Sequence, residues 1–171
     1  MVVIGIDPGT RFCGYGIIQS DNKKILAAGC DCIKIDTKLL LSDRIGYLFN
    51  ELVKIIKEYK PEIAVVESIF YGKNIQSAFK LGHARGAILL AFSLYKIPVF
   101  EYAPKEIKKA VTGNGNANKQ QVRYMIQRLV GMKNMVDSED ASDALAVAFT
   151  HFNRMRFSKL DILDEGYAKK T

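Results

Sequence analysis

The sequence predicts a mixed α/β protein built on one five-stranded sheet. Two observations carry that prediction. Three segments of strand character crowd the start of the chain, and two further strands then alternate with helices. A length of 171 residues allows one domain with a proper core, without help from disulfides or a structural metal.

The first strand is the apolar run Val2 to Ile6, which ends in the turn signal Asp7-Pro8-Gly9-Thr10. Tyr15 to Gln19 and Lys24 to Ile35 form the next two, divided by the polar turn Ser20-Asp21-Asn22. Leu41, Ile45, Leu48, Leu52, Ile55 and Tyr59 then recur at spacings of three and four, which marks an amphipathic helix stopped by Pro61. Ile63 to Val66 is the fourth strand. A helix with small residues along it runs from Asn74 to Tyr95, and Pro98 to Tyr102 is the short fifth strand. Helices at Lys119 to Val130 and Glu139 to about Arg154 complete the pattern. The stretch T-G-N-G-N-A-N-K, which ends at Lys119, reads as a flexible polar loop.

There is no repeat, low-complexity block or linker, so one domain is expected over residues 1–157. A loose tail of mixed charge is expected over 158–171. No apolar run has the length of a membrane span. The N-terminus lacks the basic flank and cleavage site of a signal peptide, so a cytoplasmic location is expected. Cys30 and Cys32 lie two apart in a strand, where a disulfide would be strained, and no His or Cys stands at zinc spacing. The cysteines read as small buried thiols. A net charge of +7, from 25 basic and 18 acidic residues, points towards nucleic acid, although solubility alone can account for a charge of this size.

The acids are placed more informatively. Asp7 follows the first strand and Glu67 the fourth, and ligands of α/β sheets gather at the carboxyl ends of strands. If those strands are neighbours, the two carboxylates meet and repel unless a cation sits between them. Asp140 and Asp143 share one face at the start of the last helix. Taken alone they are dipole residues, worth about 0.3–1 kcal/mol each when exposed. Joined with Asp7 and Glu67, they make an oxygen-rich set suited to hard divalent cations. Such a set suits phosphodiester hydrolysis, in which two Mg²⁺ ions about 4 Å apart activate a water and stabilise the departing oxygen.

Spacing alone lets either Glu139 or Asp140 partner Asp143. Plotted at about 100° per residue, Ala141, Ala144, Leu145, Ala148, Phe152 and Met155 form one apolar sector. Asp140 lies about 100° from its centre, on the flank of Asp143, whereas Glu139 lies about 160° away. Asp140 is therefore the expected ligand and Glu139 the dipole residue.

Four stretches then resemble one family. They are I-G-I-D-P-G-T-R-F-C-G-Y-G-I-I, V-E-S-I-F-Y-G-K-N-I-Q-S-A-F-K-L-G-H-A-R-G, V-F-E-Y-A-P-K-E-I-K-K-A-V-T-G-N-G-N-A-N-K-Q-Q-V and D-A-S-D-A-L-A-V-A-F-T-H. In order, from about residue 2 to 152, they resemble the crossover junction endodeoxyribonuclease family, RuvC. The resemblance implies a ribonuclease H-like fold and a homodimer. It also implies Mg²⁺-dependent cleavage of four-way (Holliday) DNA junctions, with Mn²⁺ as a substitute. It carries the metal ligands onto Asp7, Glu67, Asp140 and Asp143, the acids that spacing had reached. It further implies symmetric nicking of two opposed strands and partnership with the branch-migration proteins RuvA and RuvB. His83 stands where the family pattern has glutamine.

Lys108 and Lys119 match positions that the family turns towards phosphates. Lys119 opens a helix behind a glycine-rich loop, where backbone N–H groups and an ammonium meet an anion together. The alternative for each is an ordinary solvated lysine. Phe70, by the same resemblance, would stack on a base at the crossover, worth about 1–3 kcal/mol, against plain core packing. The roles of Tyr71 and Arg85 stay open, Arg85 between a dimer contact and packing on its own sheet. Two rival functions remain. I-G-I-D-P-G-T also resembles the first phosphate loop of actin-like ATPases, which need two lobes, and a junction-binding protein without catalysis would have no use for four intact acids.

Overall fold

The computed structural model describes residues 1–21, 24–68, 75–132 and 138–168, with 157–168 described by backbone alone. The strands are β1 (Val2–Asp7), β2 (Phe12–Ser20), β3 (Ile25–Lys34), β4 (Ile63–Glu67) and β5 (Val99–Tyr102). The helices are α1 (Leu41–Tyr59), α2 (Ile75–Leu94), α3 (Pro104–Thr112), α4 (Lys119–Val130) and α5 (Glu139–Ala168). The sheet runs in the order β3-β2-β1-β4-β5. β1, β2 and β3 pair antiparallel, while β4 and β5 add in parallel beside β1. This is the ribonuclease H-like arrangement that the resemblance implies.

Side chains alternate across each strand, so the sheet has two packed faces. Ile4, Ile6, Ala64 and Val66 pack with Leu48, Leu52, Ile88 and Phe92 of α1 and α2. Val3, Val65, Ile18 and Tyr102 pack on the other side with Val122, Ile126, Leu145, Ala148 and Phe152 of α4 and α5. The helix ends follow from local chemistry. α1 stops where Lys60 turns left-handed (φ 47) immediately before Pro61. Asn118 caps α4 by accepting from the Gln121 N–H, and Gln121 answers with a bond from the Asn118 N–H.

Three features differ from expectation. α3 was not predicted, yet Pro104 opens it and Glu106 accepts from the Ala103 N–H at 2.9 Å, with Ile107 and Val111 as its buried face. It is too short for periodicity to reveal. The loop ahead of Lys119, expected as flexible, is tied into a turn by its own side chains. Thr112 Oγ1 accepts from the Asn114 N–H, and Asn114 Oδ1 accepts from the Asn116 N–H. α5 runs on to Ala168 instead of ending near Arg154, so it enters the segment read as a loose tail. No proline lies after Phe152, and Lys159, Leu160, Leu163 and Glu165 all favour helix. Among the described residues no helix is long and apolar enough to cross a membrane.

Candidate active site

The parity of the strands aims the first two acids. Val3 faces the α5 layer, so Gly5 and Asp7 do too; Val65 faces the same way, and so does Glu67. β1 and β4 are parallel neighbours with Ile6 opposite Val66. Asp7 and Glu67 therefore leave adjacent strand ends on one side, and the condition set by the sequence is met.

Glycines bring the other two acids to them. A Cβ on Gly14 would run into the main-chain carbonyl of Asp140, and one on Gly16 into the backbone of Ala144 and Leu145. A Cβ on Gly5 would strike the Ala144 carbonyl and Ala148. Gly5 pairs with Gly16, and Gly14 pairs with Asp7. The three bare positions form a patch on which the α5 backbone rests directly. Its first turn, with Asp140 and Asp143, lands beside Asp7. The sequence signal was the alternating Gly14-Tyr15-Gly16 in a strand, which marks close approach of another backbone.

A cleft of about 280 Å³ opens there, lined by Asp7, Glu67, Lys108, Lys119 and Asp143 over an apolar floor that includes Ile107 and Val122. α3 thus supplies one wall and Lys108. Lys119 reaches from α4 to place Nζ 3.1 Å from Asp143 Oδ2 and 3.9 Å from Glu139 Oε2. Asp140 does not line the cleft; it stands half-buried by Cys32, whose thiol is pushed up by burial and then by this charge.

The charges show why the site wants a cation. Burial, then the charges of Glu67, Asp143 and Asp140, push the Asp7 carboxyl up to about 8. Burial also raises Glu67, against a hydrogen bond from Asp7 and the pull of Lys119 and Lys108. Burial raises Asp143 as well, against Lys119. Lys119 in turn is raised by the charge of Asp143. The acids are paired off, Asp7 with Glu67 and Asp143 with Lys119. Among the described residues no three potential ligands converge closely enough to hold an ion as they stand. The chemistry nevertheless fits a hard divalent cation: the donors are carboxylate oxygens, and three of these half-buried groups resist ionising together without added positive charge.

The rivals for the fourth position separate. Asp140 is among the charges that act on Asp7. Glu139 is exposed, at 65 %, and its carboxylate faces Lys119 on the outside of the helix start. Phe70 and Tyr71 lie outside the described residues. His83 is exposed on α2, away from the core. Arg85 turns to its own sheet, with Nη1 donating to the Glu67 carbonyl at 3.0 Å.

Comparison with known proteins gives the family. The chain is 41% identical over 151 residues to the crossover junction endodeoxyribonuclease RuvC of Desulforamulus reducens, covering 88% of this chain and 93% of that one. It is 42% identical over 166 residues to the same protein of Geotalea uraniireducens, covering 96% of each. Among solved structures, Thermus thermophilus RuvC in complex with Holliday junction substrate superposes with a TM-score of 0.83 at 31% identity, over 92% of this chain and 96% of that one. Residues 3–151 match the family described as crossover junction endodeoxyribonuclease RuvC. Matched over most of its length, this chain belongs to that family.

Proposed function

We propose that the protein resolves four-way DNA junctions by nicking two opposed strands symmetrically, with Asp7, Glu67, Asp140 and Asp143 as the ligands of two Mg²⁺ ions. Mn²⁺ would serve in their place. The observation that carries this reading is that Asp7, Glu67 and Asp143 line one cleft together with Lys108 and Lys119. A divalent cation held there would activate water and stabilise charge on the departing oxygen. The chain's own residues supply the rest. The four carboxylates would hold the cations, and Ile107 and Val122 give the cleft an apolar floor. Lys108 and Lys119 present positive charge to the phosphodiester and neighbouring phosphates, and Phe70 would meet an unpaired base at the crossover.

A two-fold substrate calls for two equivalent sites, which a homodimer provides. The outer face of α2 supports that assembly, because Ile75, Phe79 and Leu90 are exposed along it beside Gly82 and Gly86. Partnership with RuvA and RuvB, work in the cytoplasm, and a nuclease unit over residues 1–157 belong to the same reading. The test is cleavage of a synthetic four-way junction with Mg²⁺, beside linear duplex and ATP controls, with oligomeric state followed by sedimentation. Paired nicks on opposed strands of the junction support the reading. ATP hydrolysis, or binding without nicks, overturns it.

A further inference from the structure

Arg85 sits midway along α2, in the helical layer on the far side of the sheet from the cleft. It is only 14 % exposed. Its guanidinium spans two neighbouring strand ends. Nη1 donates to the main-chain carbonyl of Glu67 on β4, and Nη2 lies 2.5 Å from the Glu101 carboxylate on β5. Glu101 pairs in register with Val66, the residue before Glu67. The fork of a guanidinium is suited to such a two-point grip, which an ammonium cannot copy.

Glu67 is where the grip matters. It is the last residue of β4, and the Ser68 N–H that follows it donates to the Tyr102 carbonyl at 2.9 Å. Its carboxylate must stay beside Asp7 despite their repulsion. The charges acting on that carboxyl come from the cleft side, from Asp143, Lys119 and Lys108. Arg85 holds the backbone behind it instead.

We propose that Arg85 is a positioning residue for Glu67, clamping the carboxyl end of β4 to β5 so that the Glu67 carboxylate is held in place for the cation and the reaction. The proposal rests on the nuclease reading above, and it needs a readout that does not depend on cleavage.

The test compares Arg85→Gln, Arg85→Lys and Glu101→Gln with the parent protein. Mn²⁺ affinity is measured without DNA by electron paramagnetic resonance, junction affinity in EDTA, and single-turnover cleavage across pH. Arg85→Gln should weaken Mn²⁺ binding and slow cleavage by roughly 10- to 100-fold, the scale of a small misplacement of a reacting group. Junction affinity should stay within about twofold, and the pH at half-maximal rate should not move. Arg85→Lys should recover part of both losses, since an ammonium still reaches one acceptor. Glu101→Gln should lose less than Arg85→Gln. Parental Mn²⁺ affinity and rate in Arg85→Gln overturn the proposal. So does loss of junction affinity in step with rate, which is what a damaged fold or interface would produce. If Arg85→Gln does not fold, the other two variants decide, and parental behaviour in both overturns it. Failure of the parent to cut any junction would sink the nuclease reading, yet the Mn²⁺ comparison would still judge the clamp.

Discussion

Lys119 Nζ lies 3.1 Å from Asp143 Oδ2, so an ammonium already partners one of the carboxylates of the cleft. The lysine side chain is 64 % exposed, whereas that of Asp143 is 25 % exposed. The same lysine is suited to a phosphate once cations take over the acids. Lys119→Ala should therefore have two opposite effects. Without DNA, Mn²⁺ should bind at least as tightly as to the parent, because a competing charge has gone. Junction binding should weaken for every sequence, with the slope of log affinity against log salt reduced by roughly one unit. A titration series from low to high salt measures it, and an unchanged slope returns Lys119 to the solvated surface.

Removing one ligand should separate cutting from binding. Asp7→Asn and Glu67→Gln are expected to abolish cleavage while junction binding in EDTA holds or tightens, since each removes negative charge near phosphates. Asp140→Asn should behave like them. Glu139→Gln should cut at close to the parental rate, because Glu139 faces Lys119 and solvent. Gel-shift and nicking assays on one junction check all four. A dead Glu139→Gln beside an active Asp140→Asn would reverse the assignment.

The metal-free protein should lose stability as pH rises. Asp7 binds its proton up to about 8 in the folded chain, against 3.8 unfolded. Between those values the folded state holds more protons than the unfolded one, so unfolding free energy falls with increasing pH. The contribution is complete below the unfolded value and is lost as pH climbs through the folded one. Glu67 and Asp143 are shifted the same way and add to the trend. Calorimetry in EDTA should show Tm falling from pH 5 to 8 more steeply in the parent than in Asp7→Asn. Mg²⁺ should raise Tm more at pH 8 than at pH 5. Equal slopes in the two proteins would contradict the shared burial of these acids.

Gly14→Ala tests the seat of α5. The added methyl would meet the Asp140 carbonyl, which is backbone and cannot rotate away. Overpacking of this kind costs about 1–3 kcal/mol. Denaturant unfolding should show that loss, and cleavage should fall further than stability accounts for, because the displaced turn carries Asp140 and Asp143. Full activity in a destabilised variant would separate the glycine patch from the site.

Much of the site was legible because chain position alone implied it. Asp7 and Glu67 end apolar runs, and the apolar sector of the last helix ranks Asp140 above Glu139 by rotation. α3 escaped notice because nine residues give periodicity too little to repeat, and Lys108 could be tied to the cleft only by resemblance. What the sequence by itself determined was local: which segments are strands, which face of each helix is apolar, and which elements end in acids. Those follow from propensity and from repeats of two and 3.6 residues. Only the tertiary structure decided that β4 lies parallel beside β1, and that three glycines let α5 descend onto the strands. It alone decided that Lys119 holds Asp143 and that Arg85 grips the back of Glu67. These contacts join residues far apart in the chain, and their geometry depends on sheet order and on how closely two backbones approach.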